Sequence, residues 1–585
     1  MGDGSKRIYS KYVRISQEHR CRMDFPTKEA YLLEEEIKPN GNKLFFSYQL
    51  IHGKLRLTNI RAKNRTESAV LDELHFSYSL HRCVAKNRDG ETTEYLFKEE
   101  PCQKGRYRKV LQKVRFSTKG DIAYHTQQAK GNRKVTRIAK PQGRFLEVHY
   151  ANAITSQEED KVRYLLEPCG EQGETIKTYQ FSYHANCTEV RDALHHLTLY
   201  HFDENRRLSR IDYCNRHLKP LRQEVFQWSN REGEDGWLKA KALRLGDQFF
   251  YLKTYRYDSH GNVIRVALYG NLTGKKSQTF AIQDKDLMDC DYTEYDYTDD
   301  QRNLVVKKKT LDGLKTLYDY LPNTNLCTKV LQVYEGRIQE RTFYTYDDQG
   351  QVIRIAEDNG RAEEESDLTD ITFRKVKVIE RDQTLKTASF GKPFQERHYY
   401  QNLFTSEMIF LRRKEFFYDD KGREIQQKVY NEHNAFCYEI TKGYDSRGRL
   451  ISESNPVGTI THYAWDQNDN QIEETILDAE SNGKPLKSTQ FEYDCANRLI
   501  RKTEKHNHGE VFVTSYAYNV LNQRILEIDP YGHETHYTYD RFGNQTQCVK
   551  PAVQDAQGVW IRPTIAREYN ALDQVIEGVY DAVYI

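Results

Sequence analysis

The sequence lacks any apolar run that approaches the roughly 20 residues a membrane-spanning helix needs. Its opening, MGDGSKRIYSKYVR, has no apolar stretch of the secretory-leader kind. If the protein leaves the cell, a specialised export machine carries it, or the natural start lies elsewhere. The 11 cysteines stand singly from Cys21 to Cys548. An odd count with no CxxC pair excludes a tidy disulfide framework or a zinc site, and the thiols read as reduced packing residues. Charge of one sign is also missing. Lys and Arg total 88 against 86 Asp and Glu, a net +2 spread evenly along the chain, which gives no footprint for nucleic acid. Walker A, GxSxG, HExxH and GxGxxG motifs in a strand-to-helix setting are absent, and with them the usual signals of nucleotide, acyl-transfer and zinc-protease chemistry.

What is present is tyrosine: 42 Tyr against 25 Phe and 4 Trp. A mean hydropathy of −0.86 is very hydrophilic for a folded chain. An aromatic ring with a polar tip suits a surface that is half wet. The composition therefore describes a thin wall, wet on both sides in places, and the aromatic content argues against disorder.

The tyrosines recur in a phrase: aromatic, Asp, two variable residues, Gly or another turn-former, polar, aliphatic. Clear copies begin at Tyr257 (YDSHGNVI), Tyr346 (YDDQGQVI), Tyr418 (YDDKGREI) and Tyr444 (YDSRGRLI), followed by Tyr493 (YDCANRLI) and Tyr539 (YDRFGNQT). Weaker copies begin at Phe202, Trp465, Tyr518 and Tyr569. An irregular spacing of about 20 to 30 residues means stacked units, each burying its face only against neighbours. Paired aromatics two residues apart, such as Tyr255 with Tyr257 or Tyr537 with Tyr539, share a strand face.

The Asp that follows, at Asp258, Asp347, Asp419, Asp445, Asp494 and Asp540, can bond the backbone two residues on and start a turn. Gly261, Gly350, Gly422, Gly448 and Gly543 supply positive φ there, with Asn497 and Asn522 as stand-ins. Each phrase reads as a hairpin tip. Second turns lie between the phrases at Asn455-Pro456-Val457-Gly458 and Asp529-Pro530-Tyr531-Gly532. The chain is thus predicted to be all-β, a long antiparallel meander. Residues 201–585 form the repeat region. Residues 1–200 read as a degenerate version of it, or a cap, with fainter turns at Pro39-Asn40-Gly41, Asp89-Gly90 and Pro141-Gln142-Gly143. Tyr48 to Leu55 resembles the phrase with one extra residue. The stretch Thr27 to Ile37 suits a helix or a strand. Two interruptions, 272–291 and the acidic 360–370, read as solvated insertions, with a subunit-contact loop as the functional alternative.

Candidate chemistry is weak. His195 and His196 point to opposite faces of a strand and His201 lies far along it, so a metal site is not expected. His506 and His508 sit at a turn tip, and His533 and His536 flank another, both read as surface pairs. The Asp-rich turns TDDQRN and YDDQGQ lack the twelve-residue loop of a calcium site. No cofactor, metal or catalytic residue is assigned, and an enzyme is not expected.

The recurring YDxxGRL, with Pro-x-Gly turns and aromatic pairs, resembles the YD repeats of the Rhs family, repeats shared with toxin-complex C components and teneurins. The likeness is good from Tyr257 to Tyr569 and faint before Phe202. It implies a β-ribbon spiralling into a hollow, at least partial, shell that carries a toxic polypeptide in bacterial competition, or serves adhesion as in teneurins. The implied function is a structural, non-enzymatic shell segment around polypeptide cargo, secreted by a specialised route after a cytoplasmic stage. The alternative is a surface adhesin or carbohydrate-binding protein, whose exposed Tyr and Trp would stack on glycans. The family's Pro-x4-Asp-Pro-x-Gly self-cleavage motif has its nearest string at Asp529-Pro530-Tyr531-Gly532, but Arg524 stands where the leading Pro belongs. This string reads as an ordinary inter-repeat turn. A repeat phrase just before Ile585 leads to the expectation of a larger shell, closed by more chain or by a partner subunit.

Overall fold

The computed structural model describes residues 6–584 except 14–28, 39–41, 53, 65, 68, 69, 89, 103–105, 118, 119, 130, 131, 152–160, 170–173, 216, 217, 274, 278, 301, 385, 386, 404, 479–483, 555 and 556. The predicted turn at Pro39-Asn40-Gly41, Asp89, Thr27 and Gln301 of TDDQRN lie outside the described residues.

The described residues form 43 strands in one sheet. Each pairs antiparallel with its chain neighbour, from β1 (Lys6–Val13) on β2 (Glu29–Ile37) to β42 (Trp560–Tyr569) on β43 (Val575–Tyr584). The one departure is β40 (Gln545–Val549), which pairs with β42 across the two-residue β41 (Val553–Gln554). The segment from Glu29 that could have been helical is a strand, because both its neighbours offer a ladder. The ribbon runs through residue 200 without a break: Leu197–Phe202 pairs with Cys187–Asp192 on one side and Leu208–Cys214 on the other. No helix of the described residues is long and apolar enough to cross a membrane.

A meander has two rows of turns, one along each border. Every phrase up to Tyr539 lies at a turn leaving an odd-numbered strand, as where β19 (Gln248–Tyr257) hands over to β20 (Val263–Gly270), and the phrase at Tyr569 leaves β42 only because the two-residue β41 shifts the numbering by one. These turns line one border, the Tyr-Asp rim. Turns such as Asn455–Thr459 and Asp529–His533 line the other, the plain rim. At each Tyr-Asp tip the register slips by one residue. Arg256 faces Arg265 but Tyr257 faces Val263, and the same slip recurs at Tyr346, Tyr418, Tyr444, Tyr493, Tyr518, Tyr539 and Tyr569. A bulge repeated on one border adds twist and bends the strand locally.

The bend brings the chain back onto itself. Contacts across the ribbon join residues 326 to 351 apart in sequence. Lys421 meets Glu91, Asn468 meets Gln142, Arg541 meets Leu197 and Asp573 meets Arg222. The two partners advance together, so the ribbon coils in one sense into a partial shell. The Tyr-Asp rim of its second turn lies on the plain rim of its first.

A single layer buries little. Among the described residues the apolar clusters are small, one around Ala242, Leu252 and Phe280 and another around Phe343, Ala356 and Val376. Both insertions fold back to cover such places. Phe280, in the 272–291 interruption, is buried and pairs with Phe249. The 360–370 interruption wraps the fully buried Arg341. The guanidinium donates to Asp358 Oδ1 at 2.6 Å and to the carbonyls of Ala362, Glu364 and Asp367. Most described residues of both insertions are exposed, as expected of solvated surface segments, and each is in addition anchored to the sheet, through Phe280 and through Arg341. A one-layer sheet has no second layer to cover a buried face, so a fold-over segment takes that place.

Candidate functional site: the rims and the seam

The phrase at Tyr444 shows how a tip is built. Asp445 Oδ1 accepts from the N–H groups of Arg447 at 2.8 Å and Arg449 at 3.0 Å. The Asp445 amide donates to the Arg449 carbonyl, and the Gly448 N–H returns to the Asp445 carbonyl. Arg449 Nε donates to Asp445 Oδ2 at 2.8 Å. Burial pushes the Asp445 carboxyl up, but these amide and guanidinium bonds outweigh it and leave the acid below its ordinary range. Asp258, Asp347, Asp419, Asp494 and Asp540 accept the same pair of amides. At the αL position sit Gly261, Gly350, Gly422, Gly448 and Gly543, with Asn497 and Asn522 in the same conformation.

The tyrosine does a second job. Tyr444 Oη donates to the carbonyl of Glu424 at 3.1 Å, the first residue of the preceding return strand. Tyr257, Tyr346, Tyr418, Tyr493 and Tyr539 reach Leu238, Cys327, Pro393, Gln471 and Arg524 in the same way. Trp228 and Trp465 do it through the indole N–H. Burial pushes the Tyr418 phenol up to about 12, so it remains a donor at neutral pH.

Two parts of this device escaped the sequence reading. The first is the residue after the Gly. Arg423 donates to the Asp445 carbonyl and lies over the Tyr444 ring, Arg449 reaches the Asp466 carbonyl and Trp465, and Arg498 reaches Asn519 and Tyr518. Each tip is thereby tied to the next, and the signal was the recurrent Arg or Asn after the turn. The second is Arg381. It stands before Asp382 where a tyrosine belongs, and its guanidinium donates to the Val352 carbonyl in the tyrosine's place. Tyr48, Tyr78, Tyr150 and Tyr183 make the tyrosine bond in the N-terminal third, where the Asp-x-x-Gly part of the phrase has faded.

The seam between turns is built from tip residues. Arg541 donates to the Leu197 carbonyl at 3.1 Å, to the Cys214 carbonyl and to Thr198 Oγ1. Phe542 packs edge-on against Tyr213, with ring centroids 5.7 Å apart, and lies 3.6 Å from the Arg222 guanidinium. Arg222 in turn donates to the Ala571 carbonyl and to Asp573. A cavity of about 250 Å³ opens along the seam between Phe145 and Cys169 of the first turn and Cys495, Ala496 and Val520 of the second.

The histidines do not converge. His196 pairs with Asp192, His201 with Asp212, His533 with Asp529 and His536 with Glu534. No cluster of three metal-ligating side chains occurs among the described residues. Asp529-Pro530-Tyr531-Gly532 is an Asx turn of the plain rim: Asp529 Oδ1 caps the amides of Tyr531 and His533.

Fold and rims together define a class: a one-layer antiparallel ribbon of Tyr-Asp hairpins coiled on itself. Within this ribbon, the family model described as RHS Repeat matches residues 444–479. No curated protein matches the chain. Among solved structures it is similar to the Tc holotoxin pore of Photorhabdus luminescens, at 13% identity and a TM-score of 0.44, covering 92% of this chain and 27% of that one. It is also similar to a TcdB2-TccC3 structure, at 12% identity and a TM-score of 0.42, covering 97% of this chain and 28% of that one. The chain thus spans about a quarter of the length of these structures.

Proposed function

We propose that the chain is a structural, non-enzymatic segment of a shell that encloses or carries a polypeptide cargo, in a toxin system exported by a specialised route. The observation that carries this reading is the seam. A wall that excludes proteases and chaperones must be closed between its turns as well as within its sheet, and the tips from Lys421 to Asp573 supply that closure. The carboxylates of the tips support the non-enzymatic part, because each holds two amides and often a guanidinium or carboxamide as well. The hydrophilic composition supports a polar interior that does not drive a cargo to fold.

The test joins an unstructured polypeptide carrying one protease site to the C-terminus. Cleavage about tenfold slower than in the free polypeptide, with protection lost in Arg541→Glu, is the expected result. Equal cleavage of the joined and free polypeptide would end the reading.

A further inference from the structure

The cavity of about 250 Å³ in the seam lies below the roughly 300 Å³ at which pockets for drug-sized ligands begin. Its floor is one face of four adjacent first-turn strands, Asn132–Ala139, Phe145–Tyr150, Val162–Cys169 and Glu174–Tyr183. Ile138 faces Leu146. Two residues further on, the Lys140 amide donates to the Arg144 carbonyl, so Lys140 and Arg144 are opposed on that same face. Glu147 faces Leu166, which sets Leu146 beside Glu167, and Glu167 faces Ile176. Two second-turn tips close the cavity from the other side, through Ala496 of one and Val520 of the other.

Apolar and charged groups therefore share one small space. Ile138, Leu146, Ile176 and Val520 supply the apolar part. Lys140, Arg144 and Glu167 supply two positive charges and one negative, and their side chains have no hydrogen-bond or ion-pair partner among the described residues. The opposite face of the same strands does pair its charges, Arg137 with Glu147 at 3.0 Å. The Thr178 hydroxyl, also in the lining, is buried and has no hydrogen-bond partner. Buried polar atoms of folded proteins are as a rule satisfied. A small molecule that carries both charges would answer all four groups at once.

We infer that this cavity binds an α-amino acid with an apolar side chain, its carboxylate held by Lys140 and Arg144, its ammonium by Glu167 and its side chain among Ile138, Ile176 and Val520. An anion alone would leave Glu167 unanswered beside it, and a cation alone would meet two like charges. Arg144 is the stronger carboxylate group, because its planar fork takes both oxygens. Lys140 and Glu167 are exposed and mark the mouth, which puts the charged end of the ligand at the entrance and its apolar end inward. The walls come from both turns of the coil, so the bound ligand bridges the seam. The inference rests on the cavity and not on the cargo reading, so a cargo left unprotected does not touch it.

The test is calorimetric titration of the purified chain with L-leucine, beside 4-methylpentanoate, which lacks the ammonium, and isopentylamine, which lacks the carboxylate. Leucine is expected to bind with a dissociation constant of about 1 mM or tighter, and each analogue about tenfold more weakly. Arg144→Ala is expected to weaken leucine about tenfold. Glu167→Gln is expected to do the same while leaving 4-methylpentanoate unchanged. Neither side chain bonds to another described residue, so both variants should keep the circular dichroism of the wild type. Hydrogen exchange supplies a readout free of substitutions: the amides of Ala496 and Asn497, on the second turn, should slow by roughly threefold when leucine is present. No heat and no change in exchange up to about 10 mM leucine would overturn the inference. So would leucine binding that is equal in the wild type and both variants, or 4-methylpentanoate binding as tight as that of leucine.

Discussion

Beneath the tip of Arg541 and Phe542 the plain rim of the first turn has covered apolar side chains, and at Val457 and Tyr531 the plain rim of the second is bare, although both rims are made by the same kind of turn. Leu197 and Cys214 lie beneath Arg541 and Phe542, while Val457 and Tyr531 face solvent. The difference teaches that burial in this protein is not a property of a strand or a turn. It is conferred by whatever second layer lies on the sheet, a fold-over insertion at some places and the returning ribbon at the seam. Within one turn the sheet is held by ladder bonds, tip chemistry and the two fold-over insertions, and at the seam further apolar side chains are covered by the next turn.

The largest effect that would break the comparison is expected at a tip inside the coil. Gly422 has φ +74° and its added Cβ would lie 2.3 Å from the Ala388 carbonyl oxygen, so Gly422→Val should cost roughly 4 kcal/mol, read by urea unfolding. Gly458, on the bare rim, has φ +83° but nothing within 4 Å of an added Cβ. There Gly458→Ala should cost only about 1 kcal/mol, from the positive φ alone. Equal costs would mean that the tip at Gly422 is not packed as described.

Next comes the seam itself. Arg541→Ala strands the carbonyls of Leu197 and Cys214 and should cost about 3 kcal/mol. Protease nicking should then appear first at the uncovered first-turn turns. Tyr518→Phe removes one phenol bond to Leu499 and should cost about 1 kcal/mol, with the ring still packed.

Stability against pH should sharpen the picture further. The carboxyls of Asp258, Asp419 and Asp445 are held below their ordinary range, so their contribution is present above the unfolded value of about 4 and is lost as pH falls through the folded values. The Tyr418 phenol is raised to about 12, so its contribution is present below about 10 and lost as pH rises towards 12. A melting temperature flat between these limits and falling on both sides is the expected profile. The smallest effect is at the bare rim, where Val457→Asp should change monomer stability by less than about 0.5 kcal/mol.

Much of the fold was legible in the sequence because a hairpin tip is a local object. Asp258, the amide two residues on and Gly261 are neighbours in the chain, so turn chemistry and positive φ read directly into an antiparallel meander. The tyrosine's partner, a carbonyl on the preceding return strand, was not legible, because which strand lies beside it depends on the bulge register. The fold-over of 360–370 onto Arg341 was hidden for a similar reason. An acidic run and a distant arginine carry no sign that one will bury the other. Arg381 was missed because the phrase was recognised by its aromatic, whereas the structure requires a long donor.

The sequence by itself determined the ribbon: strands, tips, the side of the sheet each phrase occupies and the antiparallel order, all set by interactions spanning a few residues. Only the tertiary structure decided which rim meets which, since that depends on the summed curvature of the tips. A small change in bend at each of many hairpins moves the returning edge by several strands, and no local sequence signal encodes that sum.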